Sequence, residues 1–267
     1  MARKSTAPFF IAETDLYGRQ RDVIGCVRDQ ALWQYEVFGK SPDNVNRFEM
    51  CIIEDITGEP VGYLAHSTVR WGGMMPLNFY ELKPGLNWAA VTPSVMRYMR
   101  QAGESRKPYR DEKPFDSIGL WFGERHPAYE VVARRLSRPR PPYAWYIRVP
   151  DLPAFMRVIA PALEKRLAAS SLPGYTGELK ISFYQDGLLL GFEHGRLVKA
   201  ESYKPFPYGH SGQAAFPGLT FLQLVFCYRS LDELKYAFPD CFTETDEAAA
   251  LLNVLFPRQP SDVWPVS

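Results

Sequence analysis

From Asp151 to Ser170 apolar residues recur at three- and four-residue steps. Leu152, Phe155, Ile159, Leu163 and Leu167 form one stripe, which predicts an amphipathic helix capped by Asp151. The text before it has a different period: AWYIRV, residues 144–149, reads as a strand just beyond a proline-rich break. That junction marks a seam, and it divides the chain into residues 1–142 and 143–267.

Beyond the helix, GELKISFYQDGLLLGFEHGRLVKAES offers three β-rich runs. They join at Asp186-Gly187 and His194-Gly195, dipeptides suited to positive φ, so a meander is predicted. Helical patterns return at LTFLQLVFCY, SLDELKYAF and DEAAALLNVLF, and Ser230 with Glu233 matches a capping box.

The first half alternates differently. Val23, Val27, Leu32, Tyr35 and Val37 predict a helix over 19–38, followed by a turn-rich stretch from Lys40 to Asn44. RFEMCIIEDITGEPVGYLAHSTVR predicts an antiparallel hairpin, and LNFYELKP a third strand from Leu77 to Pro84-Gly85. Thr92 and Pro93 open a predicted helix that Gly103 ends. SIGLWFG reads as a strand, HPAYEVVARRLS as a helix and AWYIRV as a last strand. The order β-β-β-α-β-α-β requires a mixed sheet, because hairpins give antiparallel pairs and helical crossovers give parallel ones. The fold class is α+β throughout.

Composition narrows the function. With 46% apolar and 23% charged residues the 267-residue chain packs a core. Its 31 Lys plus Arg against 30 Asp plus Glu leave a net charge of +1, which provides no general field for nucleic acid or anionic membranes. Arg134, Arg135, Arg138 and Arg140 read as a solvated helix end, where the macrodipole favours cations. The four cysteines form no CxxC pair, and Cys51 and Cys227 sit in apolar runs as small hydrophobes, which fits a reducing compartment. Glu13 and Asp15 end the first apolar run too early for a signal peptide, and no run reaches the roughly 18 residues a span needs. A cytoplasmic protein with neither membrane nor nucleic-acid partners is expected.

Several phrases resemble a known family. RFEMCIIEDITGEPVGYL, FYELKPGLNWAAVTPSVMRYM and HPAYEVVARRL are similar to the second acetyltransferase-like domain of Eis-type proteins of the GCN5-related N-acetyltransferase (GNAT) superfamily. AWYIRVPDLPAFMRVIAPALEKRLAAS, GELKISFYQDGLLLGFEHGRLV and FPGLTFLQLVFCYRSLDELKYAFPDC resemble the sterol-carrier-like module that follows it there. The resemblance covers roughly residues 20–267. It implies a mixed-sheet GNAT-like domain, a sterol-carrier-like α+β domain, and acetyl transfer from acetyl-CoA to a primary amine. It also implies a first, cofactor-binding domain upstream, so this chain is expected to begin near the second. Oligomers are common in that family, so a homo-oligomer is expected. In the family the terminal carboxylate serves as base, and the matching group is the α-carboxylate of Ser267.

The residues themselves offer little for the cofactor. The family places a glycine-rich phosphate cradle at a helix amino terminus, where this chain reads ELKPGLNWAAVTP with the single glycine Gly85. Arg100, Gln101, Ala102, Gly103 match the motif by letter but lie at the wrong end of a helix, with Glu104 beside them. No cofactor-binding residue is therefore assigned. Tyr63, Tyr80 and Tyr98 are candidates for the acid that protonates a leaving thiolate. The histidines His66, His126, His194 and His210 lack metal-ligand spacing, so no metal is assigned, and each reads as a surface or capping residue. Phe216, Leu219, Phe221, Leu222, Leu224, Val225 and Phe226 are the residues that an apolar ligand or a partner would meet. A helix apolar on most sides is, however, usually a buried one. An enzyme and a noncatalytic binding or assembly module both remain open.

Overall fold

Alternating apolar residues on either side of Asp55 build the hairpin of β1 (Phe48–Glu54) and β2 (Pro60–Ser67), paired antiparallel. Asp55 closes its turn, accepting N–H bonds from Thr57 and Glu59 at 2.8 and 3.0 Å. β3 (Met74–Leu82) adds antiparallel to β2, and β4 (Ser117–Leu120) adds parallel to β3, giving a mixed sheet in the order β1-β2-β3-β4. The computed structural model describes residues 7–110, 113–140, 146–205 and 212–263. It divides into two units, Met1–Pro142 with Pro260–Ser267, and Tyr143–Gln259.

In the first unit, α1 (Ala7–Arg19) and α2 (Gln30–Gln34) cover one face of the sheet, and α3 (Trp88–Ser105) and α4 (Ala128–Val131) the other. A bulge decides which strand residues face which layer. Ala65 pairs with Phe79 but His66 with Leu77, so Asn78 is an extra residue in β3. Side chains alternate along a strand, so one extra residue reverses the parity. Met75, Leu77, Tyr80 and Leu82 thereby all join the core under α3, while Phe79 packs with Trp33 and Tyr63 on the other side.

The second unit starts with α5 (Leu152–Ala168), where Asp151 accepts the Ala154 N–H at 2.9 Å. Its Met156, Leu163 and Leu167 are fully buried, each worth about 1.5–3 kcal/mol. The meander is β5 (Gly177–Ser182), β6 (Gly187–Glu193) and β7 (Arg196–Tyr203). The two-residue strands β8 (Ala214–Ala215) and β9 (Phe242–Thr243) extend it to the order β7-β6-β5-β8-β9. α6 (Thr220–Val225), α7 (Leu231–Ala237) and α8 (Asp246–Leu255) complete the unit. Phe216, Phe221 and Leu224 of the apolar α6 region are buried in one core with Leu251, Leu252 and Phe256. Both halves of the Ser230–Glu233 capping box are present.

Six expectations fail locally. The helix over 19–38 is replaced by α1, which ends at Arg19, and by a short helical stretch from Gln30 to Gly39. Between them, Val23 N–H donates to Pro260 O and Asp262 N–H to Ile24 O, both at 2.9 Å, and this tertiary pairing outcompetes the helix. β3 begins at Met74 rather than Leu77 because its first residues pair with β4. α3 starts at Trp88, not at Thr92 and Pro93, since Asn87 supplies the cap; Pro93 lies inside the helix. Gly103 does not end α3 but lies within it, against the ring of Phe115. Residues 146–149 form no strand, and the start of that expected strand lies outside the described residues. In the first meander turn positive φ falls on Tyr184, at 72°, rather than on Asp186-Gly187; His194, at 49°, takes it as expected.

Candidate functional site

The β3 bulge also turns Glu81 toward α1. β4 pairs with β3 only as far as Leu77, so residues 78–82 run on without β4 beside them. Into that divergence comes His126, whose Nε2–H donates to Tyr80 O at 2.6 Å while its Nδ1 accepts the Ala128 N–H at 3.2 Å. A cavity of about 50 Å³ lies here, lined by Asp15, Asp22, Glu81 and Asp262 with the guanidinium groups of Arg21 and Arg28 among them.

The charges there are only partly matched. Tyr63 O–H donates to Asp15 Oδ1 at 2.9 Å, and Arg19 Nε lies 3.4 Å from Asp15 Oδ2. Arg21 pairs with Glu81 Oε1, while Glu81 Oε2 has no hydrogen bond. Burial raises the Glu81 carboxyl to about 7 in spite of Arg21. Burial, then the Asp262 charge, raises Asp22 to about 6. Asp15 and Asp262 are raised by burial as well. Burial of His126 pushes it down to about 3, so its imidazole is neutral. Glu81 and Asp22 are thus able to gain or lose a proton near neutrality, in a space for water or a small ion. Pockets for organic ligands are commonly about 300–1,000 Å³.

The place where the family would hold a pyrophosphate is the start of α3. A cradle needs free N–H groups. Here Ala89 N–H donates to Asn87 Oδ1 at 2.9 Å, and Ala90 and Val91 N–H donate to Asn87 O at 3.0 and 3.3 Å. Trp88, the first helical residue, packs edge-on against Tyr80 and His126, with ring centroids 4.9 and 5.0 Å away. Gly85 serves the preceding turn with a φ of 82°. Residues 100–105 lie at the other end of α3, where Arg100 is engaged by Glu104 at 2.8 Å. These residues do not fit acetyl-CoA.

The three tyrosine candidates are not brought together. Tyr63 is on the α1 side with Asp15. Tyr80 shares its hydroxyl with Thr92 at 3.2 Å on the α3 side, and burial raises it to about 12. Tyr98 bridges Cys51 and His66 at 3.1 and 3.0 Å. Cys51 packs against the core under α3 as a small hydrophobe and in addition hydrogen-bonds Tyr98. His66 and His126 are both buried rather than surface residues; His126 Nδ1 does accept the N–H of Ala128 at the start of α4, whose N-cap is Pro127. His210 and Ser267 lie outside the described residues. Arg134, Arg135, Arg138 and Arg140 are exposed. Sequence reasoning missed the carboxylates around Glu81. Their one local signal is a charged residue inside the apolar strand FYEL. Among the described residues, no helix is long and apolar enough to cross a membrane.

No family model matches the sequence, and no curated protein matches it. Among solved structures, one similar chain is a conserved protein of unknown function from Enterococcus faecalis V583, described as a probable N-acyltransferase. The TM-score is 0.49 and the identity 13%, over 98% of this chain and 60% of that one. The chain therefore spans about 60% of the length of that protein, and a likeness at this level gives no residue a role.

Proposed function

We propose that this chain is an acetyltransferase-related protein of Eis type whose first unit does not itself hold the cofactor but serves assembly. The family reaction is acetyl transfer from acetyl-CoA to a primary amine, and in this reading a partner acetyltransferase domain binds the acetyl-CoA. The observation that carries it is the first turn of α3, where the N–H groups of Ala89, Ala90 and Val91 are all taken by Asn87. The order of α1, α2, β1, β2, β3, α3, β4 and α4, with β3 and β4 parallel across α3, supports an acyltransferase-like origin for that unit. Calorimetric titration of the chain with acetyl-CoA, alongside a thiol-release assay with a panel of primary amines, tests the proposal. No saturable heat and no turnover above buffer are expected; micromolar binding, or turnover by the chain alone, would overturn it.

A further inference from the structure

We propose that Glu49, Cys51 and His66 form a binding site for a divalent cation of borderline softness, with Zn²⁺ as the type. The hairpin register creates it. Glu49 stands directly opposite His66, and Cys51 follows two residues along β1, so all three project from one face of the sheet. A carboxylate oxygen, a thiol sulfur and an imidazole nitrogen from these residues lie within 4.8 Å of one another. An ion with bonds of about 2.0–2.3 Å draws tetrahedral ligands to roughly 3.3–3.8 Å. Side-chain adjustment alone spans that difference.

The imidazole is already set for the task. His66 Nδ1–H donates to the carbonyl of Ser67 at 2.8 Å, which fixes the tautomer and leaves Nε2 as the ring nitrogen that carries a lone pair. A backbone carbonyl on the remote nitrogen is the outer-shell arrangement that metal-bound histidines use. Nε2 accepts from Tyr98 O–H, so Cys51 S–H donates to the Tyr98 oxygen. One hydroxyl thus joins the sulfur and nitrogen that a metal would take. Arg106 holds Glu49 Oε2, which orients the carboxylate but also places an opposing positive charge nearby.

The donor types select the ion. Sulfur with nitrogen and one carboxylate suits Zn²⁺ or Co²⁺, whereas Mg²⁺ and Ca²⁺ require oxygen sets. His66 is fully buried, but Glu49 and Cys51 are only partly so, leaving an approach from solvent along β1. On binding, the Cys51 S–H bond breaks, the sulfur–metal bond forms and one proton leaves to solvent. Two anionic ligands then offset the charge of the ion.

Titration of the full chain with Co²⁺ alone tests this. A thiolate-to-cobalt charge-transfer absorption is expected, saturating at one ion per chain and displaced by Zn²⁺. Cys51→Ser should abolish it and Cys26→Ser leave it intact. His66→Ala should weaken Zn²⁺ binding by more than the roughly 10–100-fold that loss of an outer-shell partner costs. The absence of that absorption in the unaltered chain overturns the proposal without any variant having to fold. So does its survival in Cys51→Ser, or its loss in Cys26→Ser.

Discussion

Gly18 of α1 lies against Glu81 of β3 so closely that a Cβ on Gly18 would stand 2.4 Å from Glu81 Oε1. In an ordinary helix Gly→Ala gains about 1 kcal/mol. Here the displaced carboxyl must also keep its pair with Arg21, so the clash wins. Gly18→Ala should lower stability by about 1–3 kcal/mol, as overpacking does. Urea unfolding checks this, and the loss should shrink when Glu81→Ala is present. Equal losses in both backgrounds would rule out the contact as the cause.

Tyr63 is fully buried and donates to Asp15. Tyr63→Phe removes the donor and leaves a buried carboxylate oxygen unsatisfied, at about 1–3 kcal/mol in neutral solution. That hydrogen bond lowers the pKa of Asp15 against the larger, raising effect of burial. Once Asp15 is protonated less charge is left stranded, so the loss should diminish in acid. Unfolding midpoints at neutral and acid pH measure it, and a pH-independent loss would contradict the assignment.

Gly103 presents a second close approach: a Cβ there would lie 2.2–2.8 Å from three ring atoms of Phe115. Gly103→Ala should therefore destabilise the first unit by about 1–3 kcal/mol, where a solvent-facing helix glycine would gain from the same change. Phe115→Leu should relieve most of the loss. A thermal or urea unfolding comparison of the three variants decides it.

These contacts show why part of the protein was legible in its sequence. The hairpin around Asp55, the stripe of α5 and the Ser230–Glu233 box depend on neighbours within a few residues, and each appears where the text places it. Gly103 looked like a helix end because its partner Phe115 is not local in sequence. Residues 20–29 kept helical spacing yet pair with the segment after Pro260. The bulge at Asn78 alone sends Glu81 to the α1 side, and no spacing rule reports a bulge. Glu49, Cys51 and His66 likewise meet only through strand register, which a search for closely spaced histidines cannot detect.

His126 and Glu81 give the last prediction. His126 Nε2 lies 3.7 Å from Glu81 Oε1, and burial moves the two groups in opposite directions, His126 from 6.5 to about 3 and Glu81 from 4.5 to about 7. Taken alone, Glu81 contributes stability that is present below about 4.5 and lost as pH rises through 7, because the native state must then ionise a buried acid. His126 contributes stability that is present above 6.5 and lost as pH falls toward 3, because only the unfolded chain protonates freely. Between 4.5 and 6.5 both states bind one proton, on the imidazole when unfolded and on the carboxyl when folded, so the two slopes cancel. Glu81→Gln should expose the histidine slope, with stability rising by about 1.4 kcal/mol per pH unit relative to the unaltered chain. His126→Gln, which keeps a donor for Tyr80 O, should expose a fall of the same size. Urea midpoints across that window, taken as differences from the unaltered chain, remove the contributions of Asp15, Asp22 and Asp262 that the variants share. Two flat difference curves would mean that neither group titrates differently on folding.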